Sequence, residues 1–415
     1  MNPFNNNLVD VAIEVKANKT VKLVPAIVWY TPNIWWISLN RRIKCNLSSP
    51  VECNVVRIQS QPEHPEAYLF YAADINRFPL PRDPNIIWGL LHDESPINRM
   101  MFFYEKALNL FNYSATFSRY SDVPLPLMTL RDLDSITSTL YFVDTQTKNV
   151  NIDELAPVLY IQSNCFTATE RDLYVEELMK YIKVDAYGHC LHNKELPLHP
   201  MYVNPISKKD SYSYRYHLYG QELLTFMGKY KFVIAIENGI CNDYVTEKFW
   251  RTIEVGAVPI YYGSPLIRDW FPNNKSAILI EDFATPELLS QHLHYLLEND
   301  TAYEEYLVHK TLGVIGNQKL INEITVRPYQ SKLENVVKQF ECFVCERIHE
   351  KRTNPAVVTK KHFNCPVPKS VLTRTENRDS IWIQFMNGAR IDVDRLYEEI
   401  GSTNHTPRCS NTSWW

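Results

Sequence analysis

Glycine is scarce in this chain, 11 in 415 residues, and neither a G-x-G-x-x-G fingerprint nor a Walker loop occurs. Any phosphate site must therefore be built from side chains and helix ends, not from a glycine-rich cradle. A net charge of −4 removes the basic field that a nucleic-acid partner would need. The longest apolar run, around 23–39, is interrupted by Pro25 and Pro32, so it reads as strand and turn and not as a membrane span. No basic start followed by an apolar centre marks a signal peptide. What remains is a globular composition, 45% hydrophobic and 22% charged. At this length two domains plus an appendage are expected.

Cysteine is present in a number, nine, that suits an oxidising compartment. Sequons at Asn18, Asn46, Asn112, Asn274, Asn299, Asn404 and Asn411 lean the same way. Cys165 and Cys190 form one expected pair, and an odd count leaves at least one thiol over. A zinc ribbon is the rival reading, because Cys342-x-x-Cys345 is followed by His362-x-x-Cys365. The sequons and scattered further cysteines favour disulfides over zinc.

Along the chain, residues 1–20 read as a tail. Apolar runs at 26–31, 67–73, 86–91 and 110–117 read as buried strands of a first α/β domain over 21–150. The polar stretch 144–154 reads as a linker. In a second domain, 151–345, strands at 157–162, 183–186, 231–236, 258–262 and 277–281 alternate with helical patterns. A helix over 170–182 follows the capping-box pattern Thr169-x-x-Asp172. Another over 286–298 opens with Thr285-Pro286. Alternating units of this kind imply parallel sheets covered on both faces, two Rossmann-like domains facing across a cleft. Residues 346–415 form a C-terminal extension of different composition.

The densest signal lies at 230–264. A strand over 232–236 stops at Glu237-Asn238. A short loop then brings Tyr244, Thr246, Glu247 and Lys248 to the start of a helix, and a second apolar strand follows at 258–262. Ligands bind beyond the carboxyl ends of such strands. Lysine and helix-terminal N–H groups suit phosphate, while Glu237, Asn238 and Glu247 can accept from sugar hydroxyls. Taken singly, each residue fits an ordinary capped helix with a solvated ion pair; together at one strand end they point to a sugar nucleotide.

This segment, with its Glu-Asn after the strand and its Asp-Tyr-x-Thr-Glu-Lys, resembles the donor-binding signature of the α1,3-fucosyltransferase family. The resemblance covers roughly 24–345 and implies a GT-B-like fold with GDP-fucose as donor and no cofactor required. It also implies that an N-terminal cysteine pair, Cys45 and Cys53, is tied to Cys342 and Cys345. Donor-side residues carried over are Asn164 and Arg171 after a Ser-Asn strand end, then Tyr244, Glu247 and Lys248. Arg171 is expected to grip phosphate bidentately, and Tyr187 to border a guanine pocket. His92-Asp93-Glu94-Ser95-Pro96 resembles the family's Glu-Ser-Pro motif, which makes Glu94 the expected base of an inverting transfer from the opposite domain. His92 and Arg119 are possible cleft residues; Arg119 fits a surface salt bridge equally well.

Two Asp-x-Asp sequences, Asp132-Leu-Asp134 and Asp392-Val-Asp394, are read as helix surface and no metal is assigned. His292-x-His294 cannot share a helix face. Details such as Ile-Glu-Asn-x-x-Cys-Asn-Asp resemble a divergent branch that O-fucosylates Ser or Thr in small disulfide-rich (EMI-type) modules in the endoplasmic reticulum. The expected acceptor is thus a folded protein module or another glycoprotein; the alternative is N-acetylglucosamine on a glycan. Another nucleotide-sugar transferase, or an inactive GDP-fucose binder, is a more distant reading. The resemblance implies residence in the endoplasmic reticulum or Golgi lumen with a membrane anchor, which this chain does not display.

Overall fold

The computed structural model describes residues 24–31, 38–196, 220–350 and 356–401, so the expected N-terminal tail lies outside them. A first sheet contains β1 (Ala26–Trp29), β2 (Arg41–Asn46), β3 (Pro50–Arg57), β4 (Ala67–Tyr71), β5 (Ile87–His92) and β6 (Tyr113–Thr116). Their order is β2-β3-β1-β4-β5-β6, parallel except for the β2–β3 hairpin. The second sheet contains β7 (Val158–Gln162), β8 (Val184–Gly188), β9 (Phe232–Ile236), β10 (Val258–Tyr262) and β11 (Ile278–Leu279), ordered β11-β10-β9-β7-β8 and all parallel. β9 and β10 are buried at every residue, as strands covered on both faces must be. The two α/β sheets expected from the sequence are therefore present. The hairpin was not anticipated, because its half-exposed residues alternate polar and apolar instead of forming an apolar run.

Several local expectations change. The stretch read as a linker contains a helix, Thr145–Asn151, capped by Asp144. The helix α1 (Arg171–Leu178) starts from Glu170 in the left-handed region, with no side-chain cap. Thr169 lies one residue before that N-cap position, and its hydroxyl donates to the Glu237 carbonyl (3.0 Å). Thr285 does cap the helix Pro286–Glu298, accepting from the Leu288 N–H. The donor-side helix α2 (Glu247–Val255) is capped by Thr246 and ends at Gly256, whose positive φ of 67° favours glycine.

The helix α3 (Leu333–Glu350), expected within the second domain, packs instead on the first sheet through Val336, Phe340 and Val344. Two disulfides, Cys45–Cys342 and Cys53–Cys345, fasten it to the β2–β3 hairpin. Cys165–Cys190 is also formed. The zinc ribbon is overturned, because Cys365 pairs with Cys241 and leaves the expected ligand positions in separate bonds. The ninth cysteine, Cys409, lies outside the described residues.

The extension is ordered over 356–401 and crosses between the two halves. Val358 N–H donates to Phe111 O, and Thr116 donates to His362 O, both on the first sheet. Cys365 then bonds Cys241, and the Val371 N–H donates to Thr169 O on the second. A final helix, α4 (Ile381–Gly401), returns to the first half, where Met386, Val393 and Leu396 are buried.

Candidate functional site

The carboxyl ends of β5 and β9 face each other. Ser95, just beyond β5, donates to the Asn238 side chain just beyond β9 (2.9 Å). A Cβ on the neighbouring Gly239 would lie 2.8 Å from that of Ser95, so glycine is what lets the two loops touch. Tyr244 reaches the same place, its hydroxyl donating to Glu94 Oε2 (2.9 Å) while its ring packs on Phe117. The expected base and the expected donor-side tyrosine are thus direct partners.

Glu94 is partly exposed. Burial, reinforced by Asp93, pushes its carboxyl up to about 7, against the lowering effects of Tyr244 and Lys248. A carboxyl poised there can accept a proton near neutral pH. Glu247 behaves oppositely: burial resists its ionisation, but Lys248 and Arg251 outweigh it and bring it down to about 2. The two carboxyls stand well apart in proton affinity, which separates a base from a permanent anion.

Lys248 sits at the start of α2, where the helix dipole also favours an anion. Its Nζ contacts Thr246 Oγ1 (2.9 Å), Glu247 Oε1 (3.2 Å) and Glu237 Oε2 (3.3 Å). Burial opposes its charge, yet the two glutamates raise its pKa. Glu237 is fully buried, and its carboxylate also accepts from Thr246 N (2.7 Å) and Thr246 Oγ1 (2.7 Å). It is therefore occupied in holding the loop and Lys248, not open to a sugar hydroxyl as expected.

Arg171 departs from expectation too. It is 1% exposed, with Nη1 on Ile236 O (3.1 Å) and Nη2 on Asn164 O (2.6 Å). The guanidinium stitches the ends of β7 and β9 together through Nη1 and Nη2, and Nε is buried without a partner among the described residues. Asn164 is exposed and its side chain accepts from Phe166 N. Tyr187 is buried in the core, hydroxyl to hydroxyl with Tyr230 (2.8 Å). Tyr230 in turn donates to Asp185 (2.9 Å), which shares a face of β8 with Tyr187, as strand alternation requires.

His92 is not a cleft residue. It is fully buried and stacked on Phe363 of the extension (5.0 Å), and burial lowers its pKa to about 3. Arg119 proves to be neither a lone cleft residue nor a surface bridge. It binds Asp243 through Nε and its own backbone N–H (2.9 and 3.0 Å) and reaches Asp269 through Nη1 (2.7 Å). The Asp-x-Asp sequences are otherwise engaged. Asp132 caps the helix Leu133–Thr137, Asp394 pairs with Lys106 and Asp392 with Arg395. His292 and His294 take separate partners, Tyr306 and the Tyr181 carbonyl. The Asn112 amide oxygen accepts from Trp88 N and Arg82, and its nitrogen donates to Ala356 O.

Sequence reasoning missed Asp243 and Cys241. Asp243 is fully buried with φ 65°, accepts from Trp270 Nε1 (3.2 Å), and donates its N–H to Ser264 (2.9 Å). An Asn-Asp pair immediately before the donor tyrosine was the available signal, since both residues tolerate the left-handed region.

Two α/β sheets thus meet at charged strand ends, and comparison with known proteins supplies the class. The model described as "Glycosyltransferase family 10 (fucosyltransferase) C-term" matches residues 153–362, and "Fucosyltransferase, N-terminal" matches 22–128. The chain belongs to glycosyltransferase family 10, the fucosyltransferases. It is 40% identical over 356 residues to the GDP-fucose protein O-fucosyltransferase 3 of Xenopus laevis, covering 82% of this chain and 73% of the relative. To the Homo sapiens protein of that name it is 41% identical over 316 residues, covering 73% and 64%. A solved α1,3-fucosyltransferase with GDP-fucose aligns over 82% of this chain and 95% of its own, at 17% identity and a TM-score of 0.45.

Proposed function

We propose that the protein transfers L-fucose from GDP-fucose, with inversion, to a serine or threonine hydroxyl of a small disulfide-rich protein module of the EMI type. The observation that carries this reading is Glu94. It is a carboxyl raised to about 7 at the end of one sheet, held by Tyr244 from the other. The protein acceptor is supported by the relatives named protein O-fucosyltransferase 3.

In the reaction proposed, the acceptor oxygen attacks the anomeric carbon from the face opposite the diphosphate. Its proton passes to the Glu94 carboxylate as the new C–O bond forms. The old C–O bond breaks with its electron pair leaving on GDP. The ammonium of Lys248 and the N-terminus of α2 meet the charge that develops on the diphosphate. Glu247, a permanent anion, accepts from a sugar hydroxyl and holds Lys248 in place. Glu237 and Arg171 are positioning residues: the first fixes Thr246 and Lys248, the second fixes the two strand ends. Asn164 and Asn238 border the donor from either side. Lys248 and the N-terminus of α2 supply the charge in this reaction without a metal.

Four disulfides fit the oxidising lumen of the secretory pathway. No helix among the described residues is long and apolar enough to cross a membrane. The test is mass spectrometry after incubation with GDP-fucose and either a recombinant EMI-type module or an N-acetylglucosamine-terminated glycan. Fucose added to the module supports the proposal; addition to the glycan alone overturns the acceptor, and addition to neither overturns the activity.

A further inference from the structure

A groove of about 510 Å³ lies between the first sheet and α4. Its floor comes from loops that follow β4 and β5: Phe78 on one side, Ile97 and Met100 on the other. Its roof is α4, which contributes Phe385, Ala389 and Leu396. Its apolar lining is open to water, with Phe385 47% exposed. Gly388 also lines it, and a Cβ added there would meet nothing within 4 Å.

The groove's position says what would fill it. Ligands of parallel sheets bind beyond the carboxyl ends of the strands, and both floor loops leave those ends. Ile97 is three residues from Glu94, so this wall begins within about 11 Å of the base residue's backbone. At the start of the roof, Trp382 stacks on Phe166 (4.6 Å). Phe166 lies two residues from Asn164, on the donor half. The groove thus starts a few residues from candidate-site loops of both halves, with the extension as its roof.

We infer that this groove binds an extended segment of the acceptor protein, seating an aromatic or branched aliphatic side chain a few residues from the hydroxyl that receives fucose. Amides from Asn76, Asn98 and Gln384 also line it and offer both donors and acceptors to a peptide backbone. An apolar trough with a few polar groups to fix direction suits a peptide better than a sugar. The extension then contributes to acceptor selection as well as bracing the halves. This inference rests on the protein-acceptor reading above.

Two substitutions test it. Gly388→Phe fills the groove from a helix position that has room and gains from losing glycine, and Phe385→Ala removes part of the roof. Kinetics with a recombinant EMI-type module as acceptor should show the acceptor KM raised about tenfold or more in Gly388→Phe and less in Phe385→Ala. The KM for GDP-fucose and the thermal shift with GDP should remain those of the unaltered enzyme. Acceptor KM values unchanged in both variants would overturn the groove, as would a unaltered-enzyme dimer in sedimentation that Gly388→Phe converts to monomer. Failure of the underlying reading looks different: the unaltered enzyme itself leaves the module unmodified.

Discussion

Arg119 and Asp243 join the two halves of the molecule through a bidentate ion pair beside the candidate donor loop. The aspartate is fully buried, and the arginine also lies over the Trp270 ring at 4.6 Å. Tyr244, next in the chain, is thereby set against Glu94. Removing one member of a buried pair leaves an uncompensated charge, so Arg119→Ala should cost about 3–5 kcal/mol. Chemical denaturation measures that loss. Arg119→Lys should recover little, because an ammonium cannot reproduce the fork.

Glu94→Gln should lower transfer by about 10²–10⁴-fold or more while leaving the GDP-induced thermal shift intact. The same variant should be more stable than the native enzyme at pH 8. Burial raises the Glu94 carboxyl to about 7 in the fold, so the native state holds that proton more tightly than the unfolded chain does. Ionisation therefore disfavours the fold progressively as pH rises from the ordinary carboxylate range to 7. A glutamine removes this penalty, and melting curves at pH 5 and 8 should show the gain only at the higher pH.

The rate should rise with pH along a limb whose midpoint in kcat/KM lies near 7, reporting Glu94 losing its proton in the free enzyme. Tyr244 lowers that value through its hydrogen bond. Tyr244→Phe should move the limb to higher pH. A reduced rate with an unmoved limb would assign Tyr244 to substrate alone.

Peptide mapping without reductant should recover Cys241 linked to Cys365, the pair that ties the donor loop to the extension. Cys365→Ser should lower stability by about 2–4 kcal/mol. It should also weaken the thermal shift with GDP, because the loop from Glu237 to Tyr244 loses its outer anchor.

Transfer measured with EDTA should equal transfer with added manganese or magnesium. In the reaction proposed, Lys248 supplies the charge opposite the diphosphate, while Asp132 caps a helix and Asp392 and Asp394 are in ion pairs.

Continuous apolar runs made most strands legible, because strands covered on both faces leave no polar position. The β2–β3 hairpin escaped for the converse reason: it is half exposed, and its cysteines drew the reading toward disulfides. Tyr187 shows a signal misweighed, since alternation along β8 sets it with Asp185 toward the core while Val184 and Ala186 face the other way. Glu237 and Arg171 show something composition cannot carry. Their residue types fit ligand contact, but the Glu237 carboxylate accepts from Thr246 and Lys248 and the Arg171 Nη groups donate to backbone carbonyls, which only coordinates reveal. Arg119 could not be decided from one half of the chain, because its partner lies 124 residues away.

The return of α3 to the first sheet has a topological consequence. The donor half is an insertion, entered and left through the acceptor half, with both flanks fastened by Cys45–Cys342 and Cys53–Cys345. Cys241–Cys365 adds a covalent crossing beyond the main chain. A single protease nick between the halves would therefore not free either one. Separating the halves would require cutting the chain at both crossings and reducing that bond.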